Sequence, residues 1–317
     1  MPAASLHALL KGAIDYAGLF PPANLALEPA LRNHAEYIRH DDAWMLGAFI
    51  LPVAEFDAAS RWLTAFDQEH PLRISALGPR TENADGFVHS LSGTQSAVDM
   101  FRSRFGDAAA IEQFEMPLPP DADAKVLTAA EAALDHSRVR TFFWESPAKS
   151  APKTIELIAE QNRRQPRPCF GFKLRTGGVT AEAFPTSEAI ASALFATMRN
   201  RVPIKFTAGL HHPVRLFHES VQTKMHGFLN VLGAGVLASA HSWTEEQIVK
   251  MLEDEDPASF RFTDEEFAWR DWQVRTDAIV EARRLVTSLG SCSFDEPRED
   301  LIALKLLETC TRQHAPL

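Results

Sequence analysis

Lys173 and Lys205 are the residues of this chain hardest to account for by packing. In an extended segment alternate side chains share a face. In Cys169–Arg175, Phe170, Phe172 and Leu174 therefore oppose Lys173 and Arg175, and in Val202–Thr207, Ile204 and Phe206 oppose Lys205 and Thr207. Two earlier runs supply carboxylates on the corresponding face: Ile111, Gln113 and Glu115 in Ala110–Met116, then Thr141, Phe143 and Glu145 in Val139–Glu145. Asn230, in the run Gly227–Leu232, is expected to join them. A charge facing the inside of a sheet costs several kcal/mol unless it is paired. Five charges at the same end of neighbouring segments point to a site, with an internal salt-bridge cluster as the plainer alternative.

The chemistry these types allow is lysine chemistry. An amine becomes nucleophilic when burial or a second cation lowers its pKa, and a nearby carboxylate can move the protons. Lys173 is the candidate nucleophile or electrophilic stabiliser, Lys205 its electrostatic partner, and Glu115 or Glu145 the acid/base. Glycine loops follow these segments: Thr176-Gly177-Gly178, then Ala208-Gly209 ahead of His211-His212, then Gly233-Ala234-Gly235. Glycine lets backbone N–H groups approach an oxyanion closely. Arg175, Thr176, Gly177, Gly178, Thr207, Gly209, Asn230 and Gly233 are thus the candidate substrate-binding residues, and His211 or His212 could complete proton transfer.

Two other uses of the same residues stay open. Glu115, Glu145 and His211 or His212 could hold a divalent metal for a lyase or hydrolase, although HxH and HExxH spacings are absent and no metal or other cofactor is the primary expectation. A non-catalytic barrel that binds a metabolite fits the charges as well.

The elements that must position these residues repeat regularly. Apolar runs begin at Leu46, Leu72, Ala110, Val139, Cys169, Val202 and Gly227, 25 to 38 residues apart, the length of a strand, a helix and two loops. The stretches between them read as helices, among them 56–68, 186–198 with Thr186 at its start, and one opening at 242–246. Ser259–Thr263 is the candidate eighth strand. Seven or eight such units with no GxGxxG after the first predict a (β/α)8 barrel, in preference to a doubly wound open sheet. A single domain is expected, with residues 45–263 as barrel core, 1–44 as an N-terminal segment and 264–317 as a helical extension.

The run Lys173-Leu-Arg-Thr-Gly-Gly, then Lys205-Phe-Thr-Ala-Gly-Leu, then Leu232-Gly-Ala-Gly, resembles the lysine pair and glycine loop of deoxyribose-phosphate aldolases. That resemblance covers about 65 of 317 residues and departs after each lysine. It implies that Lys173 forms the Schiff base and Lys205 perturbs it. Asp15-Tyr16-Ala17-Gly18-Leu19-Phe20-Pro21-Pro22-Ala23 is similar to the opening of an uncharacterised bacterial (β/α)8-barrel family, which implies no activity. On composition it is a rigid loop that either closes the N-terminal end of the barrel or brings Asp15 or Tyr16 to the site.

Composition narrows the partners. The 317 residues include 32 Lys and Arg against 42 Asp and Glu, a net charge of -10 without a basic, aromatic-rich run, so nucleic acid is not expected. No stretch of 18 apolar residues suggests a membrane span, and the first residues lack a secretion signal pattern. Cys169, Cys292 and Cys310 form neither a disulfide framework nor a CxxC. The expectation is a cytoplasmic protein with a small-molecule substrate. The acidic, aromatic stretch 260–271 reads as a solvated helix face that could contribute to a homo-oligomer contact, and the segment around Cys292 as a turn between terminal helices.

Overall fold

The computed structural model describes residues 2–134, 139, 141–167 and 169–308. Cys310 lies outside them. Eight parallel strands close into a barrel: β1 (Ile14–Tyr16), β2 (Leu46–Pro52), β3 (Leu72–Leu77), β4 (Ala109–Pro117), β5 (Thr141–Glu145), β6 (Phe170–Arg175), β7 (Ile204–Thr207) and a last strand, Val286–Ser291, which closes against both β7 and β1. The expected (β/α)8 barrel is therefore what the chain forms.

Its helices lie outside in chain order. Helix α1 (Ala4–Leu10) precedes β1, and α2 (Leu27–Tyr37), the short α3 (Phe56–Ala59), α4 (Ala84–Phe105), α5 (Ala124–Ala133), α6 (Ala151–Arg163) and α7 (Ser187–Asn200) follow successive strands. Thr186 caps α7 by accepting the Ala189 N–H. The stretch 56–68, expected to be one helix, is only the single turn α3 continued as 3-10 helix over Ser60–Ala65.

The elements after β7 depart furthest from expectation. A hairpin of β8 (Leu216–His218) and β9 (Thr223–Met225) leads into α8 (Phe228–His241) and α9 (Glu245–Leu252). Gly227–Leu232 is thus helical. Every residue from Phe228 to Ala238 is buried, and a run that is apolar all round fits a buried helix as well as a strand. Ser259–Thr263 does contain a strand, β10 (Phe260–Phe262), but it pairs with β11 (Glu266–Trp269) and β12 (Trp272–Arg275) in an antiparallel sheet outside the barrel. Residues 260–271 are accordingly sheet, not a helix face. Helix α10 (Thr276–Ala282), the closing strand β13 (Val286–Ser291) and α11 (Asp295–Ala303) complete the chain. The barrel strands therefore extend beyond 45–263 at both ends, and 288–291 are strand where a turn was expected.

Outward strand residues build the core. Phe170, Phe172, Leu174, Ile204 and Phe206 are fully buried beneath the helices, as the alternation predicts. Inward positions carry Ser75, Glu115, Phe143, Lys173, Lys205 and Gly290, and there the barrel turns polar. No described helix is long and apolar enough to cross a membrane.

Candidate active site

Lys205 sits at the bottom of the charged layer. The ammonium is completely buried, and its three N–H donors meet three acceptors: Asp15 Oδ2 at 2.7 Å, Gln113 Oε1 at 3.1 Å, and Glu115 Oε1. The Phe143 ring lies 5.4 Å beneath it. Burial lowers the lysine's pKa, but Asp15 and Glu115 more than reverse this, so it lies above the ordinary value. Lys205 is a fixed cation.

Asp15 arrives from β1, the strand nearest the N-terminus. It accepts from the Ala48 N–H at 2.7 Å and from Ser288 Oγ at 2.8 Å, besides Lys205. Gly47 makes this approach possible, since a Cβ there would stand 2.3 Å from Asp15 Oδ1. Of the two expectations for the Asp15–Ala23 segment, the one that brings Asp15 to the site holds and the one that closes the N-terminal end of the barrel does not. The segment opens with a barrel strand, Asp15 enters the charged layer, and Ala17, Phe20 and Pro21 line the C-terminal mouth instead of closing the opposite end.

Glu115 bridges the two lysines. Its Oε1 faces Lys205 and Ser75 Oγ, and its Oε2 forms an ion pair with Lys173 at 2.8 Å. Burial pushes this carboxyl up, but Lys173 and Lys205 outweigh it and hold the pKa at about 2. Lys173 also pairs with Glu145 Oε2 at 3.0 Å. Lys173 and Lys205 are register partners on β6 and β7.

Above this layer opens a cavity of about 790 Å³ at the C-terminal ends of the strands, where barrel enzymes place their sites. Lys173 and Glu145 line it, whereas Lys205 and Glu115 do not. Two exposed guanidiniums stand at its rim, Arg80 after β3 and Arg175 at the end of β6, each 3.9 Å from Glu145 Oε1. Gly178 and Thr207 also line it.

A second set of groups occupies the wall beside β7 and β13. His211 Nδ1 lies 2.9 Å from Glu296 Oε2 and 3.9 Å from Cys292 Sγ, and both His211 and Cys292 line the cavity. Burial lowers the His211 pKa, yet its bonds to Cys292 and Glu296 lift it to about 9, so the ring is an imidazolium at neutral pH.

Other expected site residues serve the scaffold. His212 pairs with Asp300 at 2.7 Å, stacks on His218 and does not line the cavity. Thr176 Oγ1 donates to the Ala208 carbonyl at 2.7 Å, tying the loops after β6 and β7 together. Gly177 and Gly209 pack backbone to backbone, a Cβ on Gly177 falling 2.8 Å from the Gly209 Cα, and Gly209 needs a φ of +75°. Asn230 and Gly233 lie on α8, away from the site. The Asn230 amide donates to the Met251 and Asp254 carbonyls, and Gly233 packs against Met251 and Phe267. Nor are the candidate metal donors gathered. Glu115 is taken by two lysines, the histidines pair with Glu296 and Asp300, and no cluster suited to a metal occurs among the described residues.

Sequence reasoning missed Arg80, Cys292 and Glu296, and offered Asp15 only as one of two residues that could reach the site. Asp15 alone left a trace, an acidic residue between Ile14 and Tyr16 in a short apolar run. No protein-family model and no curated protein matches this chain, so the aldolase resemblance rests on residues 173–235 alone, beside a (β/α)8 barrel fold that commonly hosts enzymes.

Proposed function

We propose that the protein is a lyase or isomerase that acts on an anionic carbonyl compound through an imine on Lys173. One observation carries this reading: of the two buried lysines only Lys173 lines the cavity, and it does so with Glu145 as a carboxylate partner on the same wall.

The steps need only groups already placed. Lys173 passes a proton to Glu145 Oε2, 3.0 Å away, and the freed amine attacks the substrate carbonyl carbon. Glu145 gives that proton to the carbonyl oxygen, takes a second one from the attached nitrogen and returns it to the carbinolamine hydroxyl, which leaves as water, with the His211 imidazolium as a hydrogen-bond donor on the cavity wall. The iminium that remains draws the electron pair of an adjacent bond. A C–H proton passes to Glu145, or a C–C bond breaks as the other fragment leaves as a carbonyl compound with its hydroxyl proton passing to Glu145. Glu145 returns the proton to the enamine carbon, and water hydrolyses the iminium to product and the Lys173 amine. Lys205 neutralises the other half of Glu115, weakening that carboxylate's hold on a proton at Lys173. Arg80 and Arg175 hold the substrate's anionic group.

Borohydride reduction in the presence of small aldehydes and oxo acids, followed by peptide mapping, tests this. The expected result is a stable adduct on Lys173 that is absent from Lys173→Met. Turnover of a carbonyl substrate undiminished in Lys173→Met would overturn the reading.

A further inference from the structure

Apart from Arg80 at the rim after β3 and His211 beside β7, the charged groups among the described residues that line the cavity lie on one side. The ends of β5 and β6 present Glu145, Lys173 and Arg175, and the wall below β2 and β3 presents Ile50, Val53, Ala54, Leu77 and Pro79. Across the mouth, Phe20 and Pro21 extend the apolar wall, which Arg80 after β3 and His89, Ser90 and Thr94 of α4 interrupt. A polyol such as a sugar needs a hydrogen-bond partner for each buried hydroxyl, and leaving one unpaired costs about 1–3 kcal/mol. This wall offers few partners. A volume of about 790 Å³ is also far more than a three-carbon oxo acid fills.

The opposite side argues about the anion. Barrels that take phosphate esters commonly cradle the phosphate in the loops after the seventh and eighth strands and on a helix N-terminus there. Here the helix after the eighth strand, α11, carries Asp295 and Glu296 in its first turn. Two carboxylates at that position oppose a phosphate dianion. In the loop after β7, Gly209 is taken up by its contact with Gly177. The guanidiniums at the rim, Arg80 and Arg175, pair with a carboxylate as readily as with a phosphate, so the acidic first turn of α11 is what weighs against the phosphate.

We infer that the substrate is an oxo acid with an apolar body: a carboxylate held by Arg80 and Arg175, a carbonyl over Lys173, and an unsubstituted aliphatic or aryl portion along the β2–β3 wall. This rests on the lysine reading for the place of the carbonyl and adds the rest of the molecule to it. Phosphorylated sugars are the class it rejects.

Calorimetric titration of the full chain with butanoate, hexanoate, octanoate and glycerol 3-phosphate tests the inference without imine chemistry. Affinity should tighten with chain length, up to roughly fourfold per methylene, and glycerol 3-phosphate should bind more weakly than octanoate. Ala54 is exposed on the apolar wall, so Ala54→Trp should reduce the ratio of octanoate to butanoate affinity. If that variant fails to fold, the wild-type series decides. A flat series, or tighter binding of the phosphate ester, would overturn the inference and leave the lysine reading standing. A rising series with no borohydride adduct on Lys173 would support the apolar body and overturn the lysine reading.

Discussion

Lys173 and Lys205 are register partners on neighbouring strands, yet they belong to different regions of the molecule. Lys205 is sealed, with an acceptor for each of its three donors. Lys173 has two carboxylates and an open side toward the cavity. Residue type and strand position do not separate them; saturation does. A lysine with every donor committed is a structural charge, and one with an uncommitted face above a cavity can react. The lower region, Asp15–Lys205–Glu115, should therefore answer to stability, and the upper region, Lys173–Glu145 with the arginines and His211, to binding and chemistry.

The widest separation between the regions should come from removing each lysine. Lys205→Met strands Asp15 without its cation and leaves Glu115 with Lys173 alone, and a buried pair broken in this way costs about 3–5 kcal/mol. Urea denaturation should show that loss, and a smaller one for Lys173→Met, whose partner Glu145 borders the cavity. Equal losses would erase the distinction.

Acid should find the lower region next. Glu115 has a pKa of about 2 in the folded chain against 4.5 ordinarily, so its contribution is present above about 4.5 and is lost as pH falls toward 2. Glu115→Gln should be less stable than wild type at neutral pH, and the two thermal unfolding curves should converge between pH 4.5 and 2. Alkali should find the upper region. The raised His211 pKa gives stability that is complete below about 6.5 and is lost as pH rises through about 9. In Glu296→Gln that loss should be smaller and end at a lower pH, with an imidazole titration by NMR as the direct measure. The smallest effect belongs to the rim. Arg175 is more than half exposed, so Arg175→Ala should weaken carboxylate binding by about tenfold and leave the unfolding free energy unchanged.

Six barrel strands, β2 to β7, are legible in the sequence because each is a short apolar run and the runs recur at the length of a strand, a helix and two loops. The two that close the barrel are not. β1 spans three residues, too few for a period to emerge. β13 reads Val-Thr-Ser-Leu-Gly-Ser because its inward positions must be small: Ser288 reaches Asp15, and a Cβ on Gly290 would stand 3.1 Å from Ile50 and Thr207. The same physics set what could be seen of the site. Glu115, Glu145, Lys173 and Lys205 stood out as charges against apolar alternation. Arg80, Cys292 and Glu296 sit in loops or at a helix start, where alternation carries no information, and only the closed barrel brings Arg80 and Cys292 to the cavity and Glu296 to His211. Asn230 and Gly233 misled because α8 is buried all round.

The bonds of Asp15 span 190 residues to Lys205 and 273 to Ser288. Contacts this distant along a chain form late and slowly, since the intervening loop must close first. During synthesis Asp15, Glu115 and Lys173 all emerge well before Ser288, so the charged layer stays open until the final strand arrives. A chain halted before residue 286 would hold both lysines and lack the strand that seals Asp15 beside them. Closure of the barrel and completion of the charged layer around Asp15 thus wait on the same last strand.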